Sequence, residues 1–208
     1  ENLQSKGRSP STILAYRADL EQLVDYLAKK NIAFATETTT AELETFRDSL
    51  LAENITKATI VIGYMGDMIR QFVEQNYSMD VEFVQQEQPL GLGHSIWCAS
   101  HTFGSDPVFI ILGDTIFDVN LAPVLASENS MLGVKYVEDP RRFGVVESSD
   151  GVVTRLIEKP ENPTSHMAIV GLYHIRNSAL LKSTLNELVT KDIRTRGEYQ
   201  LTDALQMM

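Results

Sequence analysis

Thr59-Ile60-Val61-Ile62-Gly63-Tyr64 is a short β-branched run closed by a glycine, the pattern of a buried strand. From Met65 to Gln75 the apolar spacing turns helical, and it predicts a helix with Met68, Phe72 and Ile69 facing inward. Val81 to Gln85 reads as a second strand and Gly91 to Thr102 as a second helix. Val108 to Leu112 is a third strand, ending at Gly113-Asp114. This alternation predicts parallel strands, right-handed crossovers and a site beyond the carboxyl ends of the strands.

Downstream, Met131 to Glu138, Gly144 to Glu147, Val152 to Glu158 and Ala168 to Ile175 are strand-like, and Ser148 to Gly151 suits a hairpin turn. Asn177 to Val189 and Glu198 to Met207 read as closing helices. Upstream, residues 1–54 read as a short all-α segment. Ser9-Pro10 opens a helix whose stripe is Ile13, Tyr16, Leu20, Leu23 and Leu27. Thr39 with Glu42 caps a second helix that would bury Leu43, Phe46 and Leu50.

Bulk properties narrow the function classes. A hydrophobic fraction of 43% over 208 residues is enough for a sizeable core. A net charge of −10 argues against a broad nucleic-acid surface. Cys98 is the only cysteine, which excludes an intrachain disulfide and suggests a reducing compartment. No apolar run reaches the ~20 residues of a membrane helix, so the expectation is a cytoplasmic protein without a membrane partner. The four histidines show no metal-ligand spacing and receive no role.

Three stretches could carry chemistry. Ile110-Ile111-Leu112-Gly113-Asp114 places one hard oxygen ligand at a strand's carboxyl end, which suits Mg²⁺; a turn or capping aspartate is the plainer alternative. Gln86 to His94, Q-E-Q-P-L-G-L-G-H, offers an amide donor and acceptor to a pyrimidine edge, with Gly91 and Gly93 leaving room for a flat base. The alternative is a strand-to-helix loop. Glu158-Lys159-Pro160 ends a strand with a carboxylate for sugar hydroxyls and an ammonium for phosphate, or with an ordinary solvated ion pair.

Together with V-I-G-Y-M-G-D-M-I, L-G-D, R-F-G-V-V-E, A-I-V-G-L-Y and G-E-Y-Q-L-T-D-A-L, these stretches resemble, in order and spacing, the nucleotide-sugar pyrophosphorylases over about Ile55 to Met208. The nearest likeness is to glucose-1-phosphate thymidylyl- or uridylyltransferases. The resemblance implies an α/β fold with a Rossmann-like nucleotidyltransferase sheet in residues 55–208. It also implies nucleoside triphosphate, sugar 1-phosphate and nucleotide sugar as ligands, and Mg²⁺ as cofactor. Asp114 would hold the metal and Lys159 would act on the phosphates. Gln86 and Gly91 would lie against the base. Gly144, Glu158, Lys159 and Gly171 would surround the sugar phosphate, with Tyr173 and Glu198 nearby.

The family's opening strand, its G-x-G-T-R loop and its P-K motif do not occur in these residues. The expectation is therefore an incomplete sheet and no useful turnover, since such a loop's amides and cations hold the triphosphate. Residues 1–54 resemble part of the core-binding domain of Xer-type tyrosine recombinases. That implies Lys6, Arg8, Ser9, Thr12, Tyr16 and Arg17 as candidate DNA contacts, and a chimeric origin, although acidic residues outnumber basic ones up to Lys57. Rival readings are a DNA-binding module with a passenger domain and a nucleotide-sugar binder without turnover. A homo-oligomer is left open.

Overall fold

The computed structural model describes residue 55, residues 57–115, residue 117 and residues 119–208. The helices expected within residues 1–54, and the candidate DNA contacts among them, lie outside the described residues. The described part of Gly113–Asn120 belongs to one compact unit, and Ile55–Leu112 with Leu121–Met208 forms another. The elements below belong to the second.

The opening strand β1 (Lys57–Ile62) is followed by helix α1 (Gly66–Asn76) and strand β2 (Asp80–Gln85). β1 and β2 pair in parallel from Lys57↔Asp80 to Ile62↔Gln85. Helix α2 (Leu92–Ala99) continues as a single tight turn, Ser100–Thr102, and leads to strand β3 (Val108–Ile111). Parallel pairing holds for the first two strands only. β3 instead runs antiparallel to β7 (Met167–Ile175), from Val108↔Ile175 to Ile111↔Leu172. Sequence periodicity marks a strand but not its hydrogen-bonding neighbour, which here lies about 60 residues downstream.

β7 organises the larger sheet. One edge receives β3 and then β5 (Gly144–Ser149), which joins at Val145↔Ala168; the other receives β4 (Met131–Tyr136). β6 (Val152–Glu158) closes on β5 through the hairpin. Its two turn residues, Asp150 and Gly151, have φ of 51° and 79°, the double positive φ that matches the twist of the flanking strands. The hairpin register sets Gly144 opposite Glu158.

Helix α4 (Ser178–Thr190) starts where the Asn177 side chain accepts from the Leu180 amide. Its Leu181, Leu185 and Leu188 are wholly buried, with Ile110, Val146, Ile169, Tyr173 and Ile175 of the larger sheet in the same core. Each such leucine contributes about 1.5–3 kcal/mol through burial. A four-residue helix, α3 (Ala122–Leu125), precedes β4, and α5 (Leu201–Met207) closes the described residues.

Two expectations need correction. Met68, Ile69 and Phe72 of α1 are 61%, 46% and 53% exposed rather than inward-facing. The sheet that α1 accompanies has only two strands among the described residues, too narrow a surface to cover the helix's apolar stripe. The last helix begins at Leu201, not Glu198, because Glu198 bridges to Thr195 and Tyr199 hydrogen-bonds to the 90–93 loop.

Candidate functional site

Two polar clusters in the larger unit meet along the segment from Asp192 to Thr202. The first surrounds Gln86. Its amide N–H donates to the Ile62 carbonyl at 2.8 Å, extending the β1–β2 ladder by one residue. Its side-chain Nε2 lies 3.2 Å from the Gly91 carbonyl and 3.0 Å from His94 Nδ1.

The glycine-rich turn beside it is shaped by the chain from Glu198 to Gln200. Leu90 O accepts from the Tyr199 amide and Gly93 N donates to Tyr199 O, both at 2.8 Å. Gly91 has φ +108°, and a Cβ there would stand 2.6 Å from Tyr199 O. A Cβ on Gly93 would stand 2.9 Å from Gln200 O. Backbone from the other end of the unit therefore occupies the space that both glycines leave, a reason for them independent of room for a base.

Tyr199 in turn organises His94. The two rings stack with centroids 6.0 Å apart, and Trp97 flanks His94 at 5.5 Å. The Tyr199 hydroxyl donates to Asp192 Oδ1 at 2.5 Å and accepts from Arg194 Nη2 at 2.8 Å. The Arg194 guanidinium also lies 4.3 Å from the Tyr199 ring centroid. The hydrogen bond to Asp192 raises the phenol's pKa, and the same bond, with that from Arg194, lowers the Asp192 carboxyl. At neutral pH Tyr199 is a protonated donor facing an ionised acceptor.

Burial, helped by the Arg194 charge, pulls His94 below its ordinary value of 6.5. The folded state thus favours the neutral ring. The corresponding stability is present above pH 6.5 and is lost as pH falls through the folded-state pKa. In urea titrations across pH 7 to 5, wild type should lose stability relative to His94→Asn. Parallel curves for the two proteins would contradict this assignment.

The second cluster surrounds Glu158, whose side chain is 8% exposed. Thr202 Oγ1 donates to Glu158 Oε2 at 2.7 Å, and Lys159 Nζ lies 3.5 Å from Oε1. A Cβ on Gly144 would fall 3.0 Å from Thr202 Oγ1 and 3.2 Å from Glu158 Oε2, so this glycine makes room for the pair. Lys159 has φ +42°, its amide donates to Phe143 O at 3.0 Å, and its carbonyl accepts from Arg196 Nη2 at 2.6 Å. Arg196 was not among the sequence candidates; it brings a second cation to this corner.

Of the remaining candidates, only Glu198 borders one of these clusters, its Cβ standing beside Gly91. Tyr173 is 4% exposed within the core. Gly171 has φ +80° and its carbonyl accepts from Leu112 N. Glu198 is exposed, with Oε2 accepting from the Gln200 side chain at 3.0 Å. Asp114 is an exposed turn residue in the other compact unit. Among the described residues no three His, Cys, Asp or Glu side chains gather as metal ligands. An exposed carboxylate such as Asp114 still fits Mg²⁺, which takes one or two carboxylates and leaves other positions to phosphates and water. Among the described residues no helix is long and apolar enough to cross a membrane.

Sequence inspection assigned His94, Arg194 and Tyr199 no role. The available signal was a histidine eight residues beyond Gln86, across the glycine pair.

The chain is 29% identical over 175 residues to the low-salt glycan biosynthesis nucleotidyltransferase of Haloferax volcanii, covering 80% of this chain and 48% of that protein. It is 32% identical to the UTP–glucose-1-phosphate uridylyltransferase of Bacillus subtilis, over 62% of this chain and 48% of the relative. A Streptomyces griseus glucose-1-phosphate thymidylyltransferase is also 32% identical, over 77% and 46%. The chain thus spans about half the length of these curated relatives. A Bacillus anthracis crystal structure assigned as a glucose-1-phosphate thymidylyltransferase, solved with sucrose, superimposes with a TM-score of 0.60 at 26% identity, covering 75% of this chain and 65% of that one. A UDP-glucose pyrophosphorylase complexed with UDP-glucose shares the fold, with a TM-score of 0.57 at 21% identity over 73% and 68%. The recombinase resemblance of residues 1–54 gains no support, because the family match takes in most of that stretch. With a mixed α/β fold, the neighbours named above and a profile match over residues 19–208, the chain belongs to the nucleotidyl transferase family.

Proposed function

We propose that this chain forms the nucleotide-sugar part of a sugar-1-phosphate nucleotidyltransferase. The observation that carries this reading is the pair of clusters on one segment, with Arg194 and Tyr199 joined to the Gln86 side and Arg196 and Thr202 to the Glu158 side. On this reading Gln86 contacts the base, Glu158 accepts from sugar hydroxyls, and Lys159 with Arg196 faces phosphate charge. The reaction is attack by a phosphate oxygen of the sugar 1-phosphate on the α-phosphorus of a nucleoside triphosphate. The new P–O bond replaces the bond to the β-phosphate bridge, and pyrophosphate leaves. Catalysis of this kind is mostly positioning and charge stabilisation. Mg²⁺, held by Asp114 when bound, would supply charge neutralisation on the phosphates.

No G-x-G-T-R loop or P-K pair occurs within the 208 residues. Losing one electrostatic donor costs about 10²–10³ in rate, so the polypeptide assayed as such should bind nucleotide sugar yet release little pyrophosphate. Calorimetry with UDP-glucose and dTDP-glucose, beside a pyrophosphate-release assay with Mg²⁺, tests both halves. No binding of either nucleotide sugar would sink the function, and clear turnover would sink the expected inactivity.

A further inference from the structure

The orientation of the Gln86 amide follows from its neighbours. A backbone carbonyl can only accept, so the end of the amide 3.2 Å from Gly91 O must be the NH₂. The same nitrogen lies 3.0 Å from His94 Nδ1. Both Nε2 hydrogens are then committed inward, and His94 Nδ1 must present its lone pair. The imidazole proton consequently sits on Nε2; Cys98 Sγ, 3.8 Å from Nδ1 and 4.0 Å from Nε2, does not distinguish the two nitrogens. No hydrogen bond to Gln86 Oε1 is made by the described residues, and the side chain is only partly buried.

Two supports hold His94 in this role. The ring stacks on Tyr199 and meets Trp97 at a tilt, with centroids 6.0 and 5.5 Å away. Tyr199 is itself anchored at its hydroxyl by Asp192 and Arg194 and along its backbone by Leu90 and Gly93. These ring contacts hold the imidazole where Nδ1 meets Gln86 Nε2, and the two hydrogens of that nitrogen favour the tautomer with Nδ1 bare.

We propose that His94 is a positioning residue that locks the Gln86 amide with its oxygen outward, so that the site accepts pyrimidines carrying an N3–H and rejects cytosine. This rests on the proposed function, in which Gln86 meets the base. Uracil and thymine carry a hydrogen on N3, which an outward carbonyl oxygen can accept. Cytosine presents a lone pair there, and two acceptors then face each other. A buried polar group left unpaired in this way weakens binding by about ten- to a hundredfold.

The test uses the 208-residue chain with UDP and CDP as probes, and nitrogen NMR of the histidine side chains without ligand. The wild type should show His94 protonated at Nε2 and bare at Nδ1, and should bind UDP at least about tenfold more tightly than CDP. His94→Leu removes one of the two acceptors that hold Nε2, leaves the Gly91 carbonyl to orient the amide alone, and should lower the UDP-to-CDP ratio by about fivefold. His94→Asn puts a side-chain carbonyl oxygen near the Nδ1 position and should restore the preference. A proton on Nδ1, or a UDP preference that is undiminished in His94→Leu, overturns the proposal. Binding of both probes without discrimination by the wild type overturns it too and leaves the proposed function standing. No binding of either probe overturns both.

Discussion

Gly91→Ala should destabilise the protein by about 3 kcal/mol or more, the sum of a left-handed backbone strain of about 1–3 kcal/mol and an overpacking term of similar size. The position combines φ +108° with a Cβ site 2.6 Å from Tyr199 O, 2.8 Å from Glu198 Cβ and 3.0 Å from Tyr199 N. Two of those three atoms are backbone, held by the Leu90 and Gly93 hydrogen bonds, so relief cannot come from a rotamer change. If the strand of contact from Glu198 to Gln200 shifts instead, Tyr199 leaves His94 and the Gln86 arrangement loosens. Gly104→Ala is the control, because nothing lies within 4 Å of its Cβ site and its φ is ordinary. Urea midpoints for both variants decide the matter. A Gly91→Ala protein within about 0.5 kcal/mol of wild type, the usual range of neutral surface changes, would show that the turn tolerates a side chain.

This constraint also explains what could be read from the sequence and what could not. Local signals located the strands well, because β-branched runs such as Thr59 to Ile62 and Val152 to Ile157 fit the strand backbone wherever they pair. The Asp150-Gly151 turn was equally legible, since positive φ at two adjacent positions calls for those residue types. Partner choice was not. β3 looks like a third parallel strand until its register with β7 is known, and α1 looks inward-facing until the width of its sheet is known.

The candidate site divides along the same line. Gln86, Glu158 and Lys159 stand at strand ends, where local pattern points to function, and the structure gathers each into a polar cluster. His94, Arg194, Arg196 and Tyr199 gain their roles from contacts across long sequence separations. The Arg196 bond to the Lys159 carbonyl spans 37 residues and the Tyr199 stack on His94 more than 100. No periodicity encodes such contacts. Gly91 was legible as a glycine with a purpose, but that purpose includes its neighbour in the fold as much as any ligand.

The division into two clusters leads to the other large effect. Glu158→Ala should weaken UDP-glucose binding by about a hundredfold, as expected when a charge-assisted hydrogen-bonding group is lost from a buried site. UDP itself should lose no affinity, because Gln86 and His94 belong to the other cluster and Lys159 keeps its charge toward the phosphates. Loss of the carboxylate also strands the Thr202 hydroxyl and leaves Lys159 without its 3.5 Å partner, so some stability is lost as well. Glu158→Gln separates the two effects. Its amide oxygen can still accept from Thr202, which preserves the local fold, while the missing charge should weaken UDP-glucose binding by about tenfold. The expected order for the sugar nucleotide is therefore glutamate, then glutamine, then alanine, against a flat series for UDP. Calorimetry on the three proteins with both ligands reads this directly. If UDP and UDP-glucose lose affinity in parallel, Glu158 supports the fold of the whole site, and its role toward the sugar fails.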